Sequence, residues 1–155
     1  IEYDGETAHI KAPEKIIINE EGKRGFLTVR AQPWPGLPVD ILPLFIPLAL
    51  AADEGQVLFH NWMYDSGLFW TNELKKIGAN LVMCDPHRIL VTAGKKLQGA
   101  TMKAPYIIRA SVALVMSAMI AKGESIIKNA DALYRGHPGF SKKLTSLGAS
   151  IEEIK

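Results

Sequence analysis

Two stretches of this chain repeat each other in the same order, and that repeat limits the fold more than any other feature. Glu54–Asn61 (EGQVLFHN) resembles Lys122–Asn129 (KGESIIKN), and Glu73–Leu81 (ELKKIGANL) resembles Lys143–Ile151 (KLTSLGASI). Each copy reads as strand, helix, strand, helix, strand, and the first adds one more strand, so the unit is βαβαββ. Such a unit cannot cover its own apolar faces. Units of this kind stack with their helices inward and their sheets outward. The expected fold class is therefore α/β (α+β), an inside-out α/β barrel that is incomplete in this chain.

The expected elements follow from local chemistry. Thr7–Lys11 and Lys15–Ile18 read as strands joined at Ala12-Pro13-Glu14, with a polar turn at Glu20–Lys23 and a strand over Gly25–Ala31. A helix is expected over Val39–Asp53, with Asp40 at its N-cap, Pro43 in its first turn and a kink at Pro47. Gln56–His60 is a strand and Leu68–Ile77 a helix stopped by Gly78. Asn80–Cys84 and Arg88–Thr92 flank Asp85-Pro86-His87 as a hairpin. In the second copy, Gln98–Lys103 is a strand and Ile107–Ala121 is a helix apolar enough to be buried on most sides. Ser125–Lys128 is a strand, Phe140–Leu147 a helix and Ser150–Ile154 a last strand. The whole is one partial domain. Residues 1–24 end a preceding unit, 25–97 form one unit, and 98–155 form a second that lacks its last strand.

Composition removes several function classes. A formal net charge of +2 with scattered Lys and Arg gives no nucleic-acid surface. The longest apolar run, Ile41–Ala52, is interrupted by Pro43 and Pro47 and is too short to span a bilayer. The single cysteine, Cys84, rules out an internal disulfide and fits a reducing, cytoplasmic compartment; it reads as an inert, half-buried thiol. Four scattered histidines and no CxxC or HExxH motif leave no metal site and call for no cofactor.

Three residues stand out on physical grounds. The stretch Gln32–Asp40 (QPWPGLPVD) carries three prolines and a glycine and ends on one carboxylate. Asp40 reads either as a helix cap or as a group held rigidly for chemistry. Arg109 lies near the N-terminus of an apolar helix, where a cation opposes the helix dipole. A bound anion explains it, and so does a side chain reaching past the core to water. Arg135-Gly136 reads as a loop that either forks onto an anion or is a plain turn.

Four stretches together resemble the enolpyruvyl transferase family. They are Pro35–Asp40, the helix end from Glu73 to Ala79, Arg109-Ala110-Ser111 through Gly123-Glu124, and Arg135-Gly136 leading to Leu147-Gly148-Ala149. The resemblance runs the length of the chain and corresponds to the C-terminal part of such an enzyme. It implies transfer of the enolpyruvyl group of phosphoenolpyruvate to the 3-hydroxyl of UDP-N-acetylglucosamine, with release of phosphate, in peptidoglycan synthesis. It also implies catalytic roles for Asp40 and Arg135, with Arg109, Met63 and Pro38 binding substrate. Asp40 would serve or orient the acceptor hydroxyl, and the arginines would hold phosphate and carboxylate.

The chain departs from the family at three places. Ile107 stands where the family has aspartate, Gly67 at or near an arginine position, and Tyr134 where an acid is usual. A divergent non-catalytic relative and the 3-phosphoshikimate sibling are the alternative readings, although the Pro-Gly-x-Pro-x-Asp loop disfavours the latter. The family's proton donor and lysine have no counterpart here, and Cys84 is not that donor. The expected partners are the two substrates and the N-terminal remainder of a longer enzyme, or a second copy meeting an open sheet edge. No nucleic acid and no membrane is expected.

Overall fold

The computed structural model describes residues 1–19 and 27–154. The expected turn at Glu20–Lys23 and the first residues of the Gly25–Ala31 strand lie outside them. Strands β3 (Leu27–Arg30), β4 (Gln56–His60), β5 (Asn80–Asp85) and β6 (Arg88–Thr92) form one sheet in the order β3-β4-β6-β5. β3 and β4 run parallel, with Leu27 opposite Val57, while β6 is antiparallel to both β4 and β5. Strands β7 (Thr101–Lys103) and β8 (Ile126–Lys128) form a second parallel pair. Helix α2 (Ile108–Met119) connects β7 to β8, just as a helical segment connects β3 to β4.

Period-two alternation decides which sheet face is buried. Val57, Phe59, Ile89, Val91 and Leu81 point inward and join Ile46, Leu50, Leu68, Leu74, Ile77 and Leu114 in one core. Thr28, Arg30, Gln56, Val82 and Arg88 face out. Among the described residues, the helices that join this core thus lie on one side of the sheet. Each fully buried Leu, Ile or Phe contributes about 1.5–3 kcal/mol by leaving water.

Several elements differ from the sequence expectation, each for a local reason. The helix expected over Val39–Asp53 is a 3-10 turn at Leu42–Leu44 followed by α1 (Phe45–Leu50). The break places Pro43 and Pro47 each in a first turn, where their missing N–H groups need no partner. Ile41, not Asp40, holds the N-cap position, and no side chain caps it. The Leu68–Ile77 segment is a 3-10 helix over Phe69–Ile77. Leu68, Thr71, Leu74 and Ile77 are all fully buried and recur every third residue, which stacks them on one line when there are three residues per turn. Gly78, at φ 87°, closes this helix, with Ala79 N–H donating to Leu74 O at 3.1 Å.

At the N-terminus the hairpin is β1 (Glu2–Asp4) with β2 (Thr7–His9), turning at Gly5 (φ 57°) rather than at Ala12-Pro13-Glu14. Lys15–Ile18 pairs instead with the entry to β4: Ile18 N–H donates to Glu54 O at 3.0 Å and Asp53 N–H to Ile16 O at 2.8 Å. The expected strand over Ser150–Ile154 finds no ladder partner among the described residues and stays irregular. A strand needs a neighbour for its backbone groups. This segment is tied instead through Glu153, which accepts from Ser141 Oγ. Burial and the neighbouring Glu153 carboxylate push the Tyr134 phenol up. Tyr134 lies in helix α3 (Ala132–Gly136), which is followed by α4 (Phe140–Ser146). Arg135 therefore sits in a short helix and not in the expected loop.

Glu73 fastens the two repeats together. It accepts Lys103 N–H at 2.6 Å and the Lys76 ammonium at 2.7 Å and 2.9 Å. Burial raises its pKa, but the hydrogen bonds from Lys76 and Lys103 and their charges outweigh that and hold it below the ordinary 4.5. A carboxylate depressed in the folded state contributes stability that is full above the unfolded value and is lost as pH falls through the folded one. The wild-type chain should therefore lose stability below about pH 4.5 more steeply than Glu73→Gln does. Urea midpoints measured across pH 3–6 test this, and parallel curves would exclude Glu73 as a source of acid sensitivity.

Candidate active site

The loops that follow the carboxyl ends of the parallel strands meet in one place. After β3, the chain makes a closed loop: Gln32 N–H donates to Leu37 O and Gly36 N–H to Pro33 O, both at 2.8 Å. A Cβ on Gly36 would fall 2.4 Å from Gln32 Cβ, so only glycine fits the turn. The Trp34–Pro35 bond is cis. Ala31 and Leu37 bridge across the base of the loop, and Pro38 O accepts Ile41 N–H at 3.2 Å. The loop presents Asp40 to solvent.

Asp40 meets Arg109 of α2. Arg109 Nη1 donates to Asp40 Oδ1 at 3.2 Å, with 26% of the arginine side chain and 69% of the aspartate side chain exposed. The pair joins the loop of the first repeat to the helix of the second. It also accounts for a cation at a helix N-terminus, because the local carboxylate offsets the unfavourable dipole. Arg109 lies over the ring of Tyr64, its Cζ 4.6 Å from the centroid. Arg135 lies over Tyr106 at 4.7 Å. The site is thus two guanidinium groups and one open carboxylate around the start of α2.

Met63 lies in the exposed loop after β4, between Trp62 and Tyr64, so it is not a core residue. Trp62 Nε1 fixes that loop by donating to Ala31 O at 2.7 Å. Asn61, fully buried beneath it, is bonded through its backbone to His87: its N–H donates to the His87 carbonyl at 2.8 Å, and its own carbonyl accepts from the His87 ring Nδ1 at 3.0 Å. The Asn61 amide side chain itself has no hydrogen-bond partner among the described residues. Gly67 sits so near that a Cβ would lie 2.6 Å from Asn61 Nδ2. Any side chain at Gly67 requires the Asn61 amide to move. Ile107 occupies the N-cap position of α2 with no side-chain cap, whereas an aspartate there would supply one.

The sequence singled out Asp40, Arg109, Arg135, Met63 and Pro38, and the structure gathers the first three around α2 with Met63 in the adjoining loop. Sequence reasoning missed Tyr64 and Tyr106. The available signal was an aromatic beside Met63 and another three residues before Arg109. Cys84 is exposed, not half-buried, and lies away on β5. His137 ends α3 and packs on Phe140, with ring centres 5.7 Å apart. Among the described residues there is no cluster of metal-ligating side chains, and no helix is long and apolar enough to cross a membrane.

Comparison with known proteins agrees with this architecture. The chain is 36% identical to a UDP-N-acetylglucosamine 1-carboxyvinyltransferase from Bacteroides thetaiotaomicron, over 99% of this chain and 36% of that protein. It is 38% identical to the protein of the same name from Bradyrhizobium diazoefficiens, over 97% of this chain and 35% of the relative. It therefore spans about a third of the length of these relatives. The enolpyruvyl transferase NikO from Streptomyces tendae superposes with a TM-score of 0.72 at 22% identity, covering 82% of this chain and 29% of NikO. EPSP synthase from Acinetobacter baumannii gives 0.64 at 19% identity, over 73% of this chain and 27% of that one. The fold is the inside-out α/β fold of the enolpyruvyl transferases, with sheets that remain open here. Residues 5–144 match the family described as EPSP synthase (3-phosphoshikimate 1-carboxyvinyltransferase), and the chain belongs to that family.

Proposed function

We propose that this chain is the C-terminal portion of a carboxyvinyltransferase that moves the enolpyruvyl group of phosphoenolpyruvate to the 3-hydroxyl of UDP-N-acetylglucosamine and releases phosphate, in the cytoplasm, for peptidoglycan synthesis. The observation that carries the reading is the meeting of Asp40 and Arg109 at 3.2 Å across the two repeats, with Arg135 on the neighbouring helix. Asp40, on a rigid loop, takes or orients the acceptor hydroxyl proton. Arg109 and Arg135 hold phosphate and carboxylate, with Met63 and Pro38 lining the sugar side. The proton donor to the vinyl carbon comes from the remainder of a longer chain, which docks at the open sheet edges. In this reading, residues 1–24 complete a preceding unit, 25–97 form one βαβαββ unit and 98–155 form a second that lacks its last strand.

The names of the relatives favour the nucleotide sugar over shikimate 3-phosphate as acceptor. Phosphate release by the full-length chain, with phosphoenolpyruvate and each acceptor in turn, tests this. Release with UDP-N-acetylglucosamine is the expected result. Release only with shikimate 3-phosphate would replace the acceptor. Release with neither, from a folded protein, would mean that Gly67, Ile107 and Tyr134 have ended the chemistry and that the protein is a non-catalytic relative.

A further inference from the structure

Both arginines of the site rest on tyrosine rings, and the two contacts are built by different loops. Tyr64 reaches Arg109 from the loop after β4. Tyr106 sits in the turn before α2, which is fixed because Ser111 Oγ donates to Pro105 O and to Ile107 O, both at 3.0 Å. Arg135 reaches Tyr106 because α3 lies directly on the first turn of α2. A Cβ on Gly136 would be 3.1 Å from Ile108 Cδ1. Neither tyrosine hydroxyl makes a hydrogen bond to another described residue, so the ring face is what each tyrosine gives its arginine.

A ring under a guanidinium fixes its position without using its N–H donors. Asp40 takes a hydrogen bond from Nη1 of Arg109 alone, and Arg135 is in no ion pair among the described residues. Most of their donors therefore remain for a ligand. An arginine held beforehand also loses less rotamer freedom when a ligand binds. We infer that Tyr64 and Tyr106 are positioning residues, which hold Arg109 and Arg135 ready for a small ligand bearing both a phosphate and a carboxylate. This rests on the anion-binding role proposed above for the two arginines.

The test is calorimetric titration of the full-length chain with phosphoenolpyruvate, alongside phosphate-release kinetics. Tyr64→Leu and Tyr106→Leu keep apolar bulk and remove the ring, whereas the Phe variants keep the ring and remove the hydroxyl. Each Leu variant should weaken phosphoenolpyruvate binding about fivefold and raise its KM in step, with kcat within about twofold. Each Phe variant should match wild type. Wild-type affinity in both Leu variants overturns the inference, as does equal damage from Phe and Leu. A Leu-against-Phe split in a protein that releases no phosphate sinks the proposed reaction and leaves the positioning role standing. Release with the nucleotide sugar but no split does the reverse. A wild-type chain that does not bind phosphoenolpyruvate ends both.

Discussion

Replacing Asp40 by alanine in the full-length chain is expected to cut phosphate release by about a hundredfold to ten-thousandfold, with the loss in kcat, the range typical of removing a positioned general base. The loop argues for this size of effect. Its internal hydrogen bonds, its prolines and the tight fit of Gly36 against Gln32 leave Asp40 little freedom to lose on reaching the reacting geometry. Asp40→Asn separates two roles. Its amide oxygen still accepts from Arg109 Nη1, but it cannot take a proton. If Asp40 only anchors Arg109, asparagine should recover most of the rate. If it handles the hydroxyl proton, asparagine should be as inactive as alanine. Neither change removes a helix cap, since Asp40 is not one, and the ion pair it breaks is largely exposed on the Asp40 side. Stability should therefore move by no more than about 1 kcal/mol, so lost rate is not lost fold.

The largest effect on stability is expected at Gly99. A Cβ there would lie 1.9 Å from Glu124 O and 2.6 Å from its carbonyl carbon. Both atoms are backbone, so no side chain can swing away. Here the β7–β8 pair is extended backwards: Gly99 N–H donates to Lys122 O at 2.8 Å, Lys122 N–H to Leu97 O at 3.0 Å and Ile126 N–H to Ala100 O at 3.2 Å. Alanine must push these two segments apart and break that ladder where α2 returns to the sheet. Gly99→Ala should cost about 3 kcal/mol or more, the upper range of overpacking. Urea unfolding of the two proteins measures it. A loss below about 1 kcal/mol would mean that the two segments separate freely. Gly78→Ala is the contrast: its Cβ meets nothing within 4 Å, so only the φ of 87° resists it.

Much of the fold was legible because repeats and periodicities are local properties. The glycine-ended helices before Leu81 and Ile151, the alternation in Gln56–His60 and Arg88–Thr92, and the apolar run of α2 each announce their element without reference to distant residues. The type of helix at Phe69–Ile77 was harder to read. Leu68, Leu74 and Ile77 suit both 3.6 and 3.0 residues per turn, and the burial of Thr71 settles it. A hydroxyl can be buried there because Thr71 Oγ1 donates to Leu68 O at 2.7 Å. The expected strand at Ser150–Ile154 failed for the opposite reason. Its apolar pattern is genuine, but a strand exists only when another segment lies beside it.

The sequence by itself determined the matching helix-to-strand junctions, a stiff loop ending on Asp40 and two oddly placed arginines. Each of those facts rests on residues close together along the chain. Only the tertiary structure decided that Asp40 faces Arg109, that Tyr64 and Tyr106 lie beneath the arginines, and that Asn61 leaves no room for a side chain at Gly67. Asp40 and Tyr64 reach α2 from loops of the first unit, Tyr106 meets α3 from the turn before α2, and Gly67 belongs to a loop folded back on the end of β4. The long-range contacts to Arg109 depend on how the shared core aligns loops and helices, and no local pattern encodes a partner so far away in the chain.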